Sequence, residues 1–165
     1  MTRKARVRRV LWNWLPTLAI YAAICWFSAQ PSEISDTQSA AVADLIGIQA
    51  EWITNFVRKL AHVLLYVALG ASAGFAWLRR DPSEPKRFGR VMPRATALCA
   101  ALAALDELHQ LFVPGRAALI SDVLLDTASA ALGALGALYA GKAARRRQSK
   151  RRPSATSSEI KHKNR

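Results

Sequence analysis

The chain has 165 residues, enough for one domain, and carries a formal net charge of +13 although 52% of its residues are apolar. The apolar residues fall in long blocks and the basic residues fall between them, which sets aside a soluble basic protein and points to a membrane protein with charged loops and tails. There is no internal repeat and no glycine-rich nucleotide-binding motif. Cys25 and Cys99 each lie inside an apolar block and read as small buried side chains rather than a disulfide or a metal pair.

Residues 1–10 form a basic cytoplasmic leader with Arg3, Lys4, Arg6, Arg8 and Arg9. The apolar block that follows, about 11–28, is long enough to cross a bilayer core of ~30 Å with modest tilt. Trp12, Trp14, Trp26 and Phe27 sit near its ends, where aromatic belts belong. A cleaved signal peptide fits less well, because Phe27 spoils the small-residue register ending at Ala29. Ile24 before Cys25 also makes a poor lipidation site.

The next segment, 28–57, is polar to amphipathic. Val42, Leu45, Ile46, Trp52, Ile53 and Phe56 recur at steps of three and four, with Asp44 and Glu51 off that stripe. This spacing predicts a short amphipathic helix in the first outer loop, lying on the membrane surface or packed as a lid on the bundle. A second span is expected at about 59–78. The Asp-Pro-Ser-Glu-Pro stretch after it interrupts the helix. The third span is expected at about 95–113, Pro114-Gly115-Arg116 reads as a tight turn, and the fourth span is expected at about 120–141. The segment 142–165 is basic and Ser-rich and reads as a disordered cytoplasmic tail.

The fold class expected is therefore all-α: an integral membrane bundle of four transmembrane helices. The leader, the loop at 79–94 and the tail hold nearly all the Lys and Arg, so both termini are expected in the cytoplasm and residues 28–58 outside. Topology and attraction to anionic lipid account for the basic tail, which lacks the interleaved aromatics of a nucleic-acid surface. Nucleic acid is not expected as a partner.

The residues that a bilayer should exclude are the informative ones. Asp106, Glu107, His109 and Gln110 lie in the third span, Asp122 and Asp126 in the fourth, and His62 in the second, just inside Arg58 and Lys59. Such residues by default face the bundle interior, pair with one another and mark function. At 1.5 Å per residue Glu107 lies about 9 Å inside the Val113 end of its span, Asp126 about 9 Å inside Ile120, and His62 about 6 Å inside Arg58. These groups are expected at one level in the outer half of the membrane. The third and fourth spans, joined by a short turn, should be antiparallel neighbours. His62, Tyr66, Gly70 and Gly74 form one stripe on the second span, and Ser129, Gly133, Ala137 and Gly141 another on the fourth. The small residues in them let helices approach closely. Exposed small-residue faces also allow a homodimer without requiring one.

Three readings of the cluster stay open at this level. It is a salt-bridge network that holds the helices together. It is a site for an anionic head group, with Arg58, Lys59 and Arg116 on the anion and a carboxylate or histidine moving a proton. Or it is a metal site built from His62, Asp106, Glu107, His109 and Asp122, the weakest of the three because no compact ligand spacing occurs. No cofactor is expected.

The chain resembles the VanZ-like family of bacterial membrane proteins. The pieces that carry the resemblance are Phe-Ser-Ala-Gln-Pro at 27–31, Arg-Lys-Leu-Ala-His at 58–62 with Tyr66, Asp-Glu-Leu-His-Gln at 106–110, Val-Pro-Gly-Arg at 113–116, and Ser-Asp-Val-Leu-Leu-Asp at 121–126 followed by Gly133. They occur in order and span roughly residues 11–140. Two positions depart: Leu65 stands where relatives often have Glu, and Ser129 where glycine is common. The resemblance implies a multi-pass protein of the bacterial cytoplasmic membrane acting in the cell envelope, with an expectation of glycopeptide resistance of the teicoplanin type. The expected ligand is a membrane lipid, a lipid-linked wall precursor or another amphiphile with a polar or anionic head. Proton transfer falls to Glu107 or His62, with Asp122 orienting; binding falls to Arg58, Lys59, Arg116, Gln110, Asp106 and Gln30. The rival is a non-catalytic scaffold.

Overall fold

The computed structural model describes residues 3–46, 51–80 and 88–151. These form five α-helices and no strand: α1 (Arg3–Ser28), α2 (Ser32–Ile46), α3 (Glu51–Arg80), α4 (Phe88–Gln110) and α5 (Ile120–Arg151). Three of them, α1, α3 over Asn55–Arg79 and α5 over Ile120–Lys150, are long and apolar enough to cross a membrane. The fourth expected span, α4, is not among them. Its run free of charge is only Ala95–Leu105, bounded by Arg94 on one side and Asp106-Glu107 on the other.

The bundle is built around α3 and α5. Their backbones meet at glycine: a Cβ on Gly70 would collide with the Ala130 carbonyl, and one on Gly133 with the Val67 carbonyl. Gly74 lies against Ala134 and Ala137 one turn further on. The two small-residue stripes therefore interlock, as close helix packing in a bilayer requires. The core around this seam is small and dense, with Tyr66, Leu69, Ala73, Ala130 and Ala134 fully buried together with Ala95, Cys99 and Ala103 of α4 and Ile24 of α1. Cys25 and Cys99 are both free thiols.

Against this pair α4 packs on α5 and α3, and α1 packs mainly on α3. Pro16 interrupts the hydrogen-bond ladder of α1. Next to it the buried Thr17 hydroxyl pairs with the Ser72 hydroxyl of α3 at 2.9 Å, and Trp14 meets Trp77 edge-on at 4.6 Å. These contacts fix α1 on α3. The opposite side of α1 shows Leu11, Trp12, Leu15, Leu18 and Trp26 to the surroundings, a lipid-facing composition.

Several boundaries differ from the sequence expectations. The amphipathic stripe does not form one helix. Val42 belongs to α2, Trp52 and Phe56 belong to the first turns of α3, and 47–50 lie outside the described residues. Serine makes α2 unusual: Ser35 and Ser39 are buried, while Ile34 and Val42 are half exposed. The short sequence window could not reveal that inverted polarity. The basic segment after Gly141, expected to be disordered, is helical through Arg151. Ala143, Ala144, Arg145, Arg146, Arg147 and Gln148 are all strong helix formers, and no glycine or proline stops the helix there. The leader is likewise helical from Arg3. Finally, α4 ends at Gln110 rather than Val113. Its last carbonyls are taken by tight turns, Phe112 N to His109 O and Val113 N to Gln110 O, both at 3.0 Å.

Candidate functional site

The end of α1, the start of α2, the first half of α3, the last turn of α4 and the start of α5 meet at one end of the bundle. The loop 111–119 closes them. Gly115 takes a left-handed φ of 72°, and a Cβ there would strike the Ser32 hydroxyl, so only glycine lets the loop lie on α2. Ser32 N donates to Pro114 O at 3.4 Å across the same contact.

Arg116 fastens this loop to α1. Its Nε donates to the Gln30 carbonyl at 3.0 Å and its Nη2 to the Phe27 carbonyl at 3.2 Å. Those are carbonyls at the C-terminal end of α1, where orphan acceptors and the helix dipole favour a cation. Burial, with the Arg58 charge as the next cause, lowers the Arg116 pKa from its ordinary value. Glu107 fastens the other side. Its Oε2 accepts the Leu119 amide at 2.9 Å just before α5 begins, satisfying an orphan donor at a helix N-terminus.

Between these fasteners lies a cavity of about 270 Å³. Its walls include Arg58, Lys59, His62, Glu107, Gln110, Arg116, Asp122 and Asp126. Three cations and three carboxylates line it, and most are paired. Lys59 Nζ donates to Asp122 Oδ1 at 3.5 Å, and His62 Nδ1 faces Asp126 Oδ2 at 3.7 Å. The Tyr66 ring stacks near His62, one turn deeper, with centroids 6.4 Å apart. Arg58 reaches away to α2, where Nη1 donates to Asp36 Oδ1 at 2.8 Å, and its Nη2 donates to Asn55 at 2.9 Å.

A chain of buried polar groups lies beside the cavity. Ser28 Oγ at 2.8 Å and Gln110 Nε2 at 3.1 Å both donate to Asp106 Oδ2, and Asp106 is 1% exposed. Asp106 Oδ1, the Tyr66 hydroxyl and Gln30 Oε1 are buried without a hydrogen-bond partner among the described residues. Buried polar atoms of this kind are costly unless water or a ligand serves them.

A family model described as VanZ/LLP1 matches residues 13–141. The chain belongs to the VanZ/LLP1 family. No curated protein and no solved structure matches it. As a VanZ-like chain with long apolar helices it is a membrane protein.

Within this VanZ-like protein, Glu107, His62, Asp122, Arg58, Lys59, Arg116 and Gln110 share one cavity, while Asp106 and Gln30 stand directly behind it. His109 does not join them and is exposed on the outside of α4. Among the described residues no group of three or more His, Cys, Asp and Glu is placed to hold a metal ion. The ending of α4 at Gln110 also puts Glu107 in the last helical turn rather than two turns deep. Asp122 pairs with Lys59, and the carboxylate beside His62 is Asp126, which sequence reasoning placed in the cluster without a role. Ser28 and Asp36 were missed. Both belong to contacts between distant segments: Ser28 stood inside the Phe-Ser-Ala-Gln-Pro piece without a role, and Asp36 carried no signal of its own.

Proposed function

We propose that the chain is a four-pass protein of the bacterial cytoplasmic membrane whose charged cavity, on the outer face, binds the polar or anionic head of a membrane amphiphile. A membrane lipid, a lipid-linked wall precursor and a lipoglycopeptide all belong to that class. The observation that carries the reading is the cavity itself: charged and polar side chains from α3, the α4–α5 loop, α4 and α5 converge on a space of about 270 Å³, at the small end of ligand-binding clefts.

Four passes are supported by the burial of the residues that limit α4. Asp106, Glu107 and Gln110 are turned into the bundle, while Leu105 and Leu108 are exposed. The lipid-facing side of α4 is thus apolar where its average composition is not. At 1.5 Å per residue the helix is about 34 Å long, enough for a bilayer core. Orientation is supported by the cations: Arg3, Lys4, Arg8, Arg9, Arg79, Arg90, Arg94 and the basic end of α5 all lie at the ends remote from the cavity.

Within the cavity Lys59 and Arg58 are the cations for a phosphate or carboxylate. His62, backed by Asp126, is the better placed proton carrier, since a carboxylate beside one ring nitrogen orients the other. Glu107 is the second candidate, although its Oε2 also caps α5. The family expectation of teicoplanin resistance belongs to this reading. It is tested by the susceptibility of a bacterial host carrying wild type, Glu107→Gln or His62→Gln, with membrane abundance matched by immunoblot. Protection by wild type that either variant loses supports the site; no protection by any of the three removes the resistance role.

One observation favours a second reading. Arg58, Lys59, His62, Glu107 and Arg116 each already have a partner within the chain. A non-catalytic scaffold would need only these pairs. In that case Glu107→Gln lowers the melting temperature of the purified protein and no ligand restores it.

A further inference from the structure

A second cavity of about 290 Å³ opens on the other side of Arg58 and His62, beneath α2. Its walls are Phe27 of α1, Val57, Ala61 and Leu65 of α3, and the inner side of α2 with Ser39 and Val42. Arg58, His62 and Arg116 line both cavities, so they form the wall between them. The two spaces differ in kind. The first is charged on most sides. The second is mainly apolar: of the polar side chains that α2 adds to it, Ser35 is buried, the Ser39 hydroxyl is given to the Ser35 carbonyl of its own helix at 2.9 Å, and Gln38 is exposed. Phe27 and Val42 at its edge are half exposed, and Ile34 and Phe56 nearby are exposed apolar side chains. The second cavity thus opens toward an apolar surround, whereas the first presents charge.

We infer that the two cavities are the tail and head subsites of one binding site, and that its ligand is a single-chain amphiphile with a zwitterionic head. The inference rests on the head-group reading of the first cavity and adds the ligand class. A polar occupant meets few donors or acceptors along the cleft under α2, where Phe27, Val42, Val57, Ala61 and Leu65 make up most of the wall, while a hydrocarbon chain needs none. The two cavities meet at the side chains they share, which places the junction of tail and head at Arg58 and His62. A cleft of about 290 Å³ takes part of one hydrocarbon chain and has no room for a second. The head is zwitterionic because three cations, Arg58, Lys59 and Arg116, are balanced by Glu107, Asp122 and Asp126 in the same cavity. A bare anion would tip that balance to net negative, whereas a head carrying phosphate and amine preserves it and can exchange partners with the Lys59–Asp122 pair. Arg58, tied to Asp36 of α2, holds α2 over the tail.

The test uses the full chain in phosphatidylcholine nanodiscs, with empty nanodiscs as reference. Binding of oleoyl lysophosphatidylethanolamine is compared with that of phosphoethanolamine, the same head without a chain. The lysolipid is expected to bind about tenfold tighter or more, since a few buried methylenes suffice for that. Ala61→Phe and Val42→Trp, at exposed positions on two different helices, are expected to erase most of that advantage and leave phosphoethanolamine binding unchanged. A lysolipid with a diazirine at the chain end adds a measurement on the unaltered protein. It is expected to crosslink to Val42, Val57 or Leu65. Crosslinking instead to Leu18 or Leu132 on the outer surface, or tight lysolipid binding that neither variant weakens, overturns the tail subsite and leaves the head site standing. Equal competition by diacyl phosphatidylethanolamine overturns the single-chain assignment. Binding of neither lysolipid nor phosphoethanolamine overturns the head-group reading, and the inference with it.

Discussion

Arg116 and Asp106 show how single side chains hold the charged end of the bundle together. Arg116 spans two carbonyls of α1 with two different nitrogens, which the single ammonium of lysine cannot reproduce. Arg116→Lys is therefore expected to cost about 1–2 kcal/mol in chemical unfolding from mixed micelles, the value of one charged hydrogen bond and its geometry. A variant as stable as wild type would mean that the Gly115–Ser32 contact and the Glu107–Leu119 hydrogen bond hold the loop 111–119 without Arg116. Asp106 accepts from both Ser28 and Gln110 in a buried position. Asp106→Ala leaves both donors unserved, with an expected loss of about 2–4 kcal/mol, while Ser28→Ala removes one donor and should cost about 1 kcal/mol. The same unfolding measurement checks both, and the order of the two losses is the prediction. Asp106 was legible from sequence because a carboxylate in an apolar run demands an explanation. Ser28 was legible as part of the Phe-Ser-Ala-Gln-Pro piece, but its role was not, since its partner is 78 residues away.

At the scale of helices, the seam between α3 and α5 decides the architecture. The glycine stripes at Gly70, Gly74 and Gly133 were legible because small residues four apart have few other uses in an apolar helix. Which carbonyl each glycine admits was not. Gly70→Ala and Gly133→Ala each drive a methyl group into a backbone carbonyl of the facing helix. Each is expected to cost 3 kcal/mol or more, at or above the usual ~1–3 kcal/mol of overpacking, because backbone cannot step aside. Gly136→Ala is the control: nothing lies within 4 Å of its added carbon, and helix propensity should make it neutral or stabilising by up to ~1 kcal/mol. Thermal melting of the three variants by circular dichroism separates a specific seam from a general sensitivity to bulk. The helix least legible in sequence was α2. It buries serines and shows Ile34 and Val42, so a search for an apolar stripe facing inward joined Val42 to Trp52 and Phe56 across a boundary between two helices. The helical leader and the helical basic end of α5 were missed for another reason. Charge predicts solvation, but lysine and arginine also favour helix when an apolar helix already supplies the nucleus.

For the whole molecule, one end of the bundle is a paired, charged end and the other a basic end. The charged cavity gathers at the ends where α1 finishes and α5 starts, and the cations outside it gather at the opposite ends. The cluster was legible as a set because its members share a level along antiparallel helices. Their pairing was not, because spacing alone does not say that Lys59 takes Asp122 while His62 takes Asp126. The proposed function depends on α4 crossing the membrane and on the cavity facing outward. Single cysteines in a Cys25→Ala, Cys99→Ala background test it, with a membrane-impermeant maleimide applied to intact spheroplasts. Ala117→Cys at the cavity, Lys4→Cys in the leader and Ser149→Cys near the end of α5 are the three positions. Ala117→Cys is expected to be labelled in intact spheroplasts, and the other two only after lysis. Labelling of Lys4→Cys or Ser149→Cys from outside, or protection of Ala117→Cys, would contradict it.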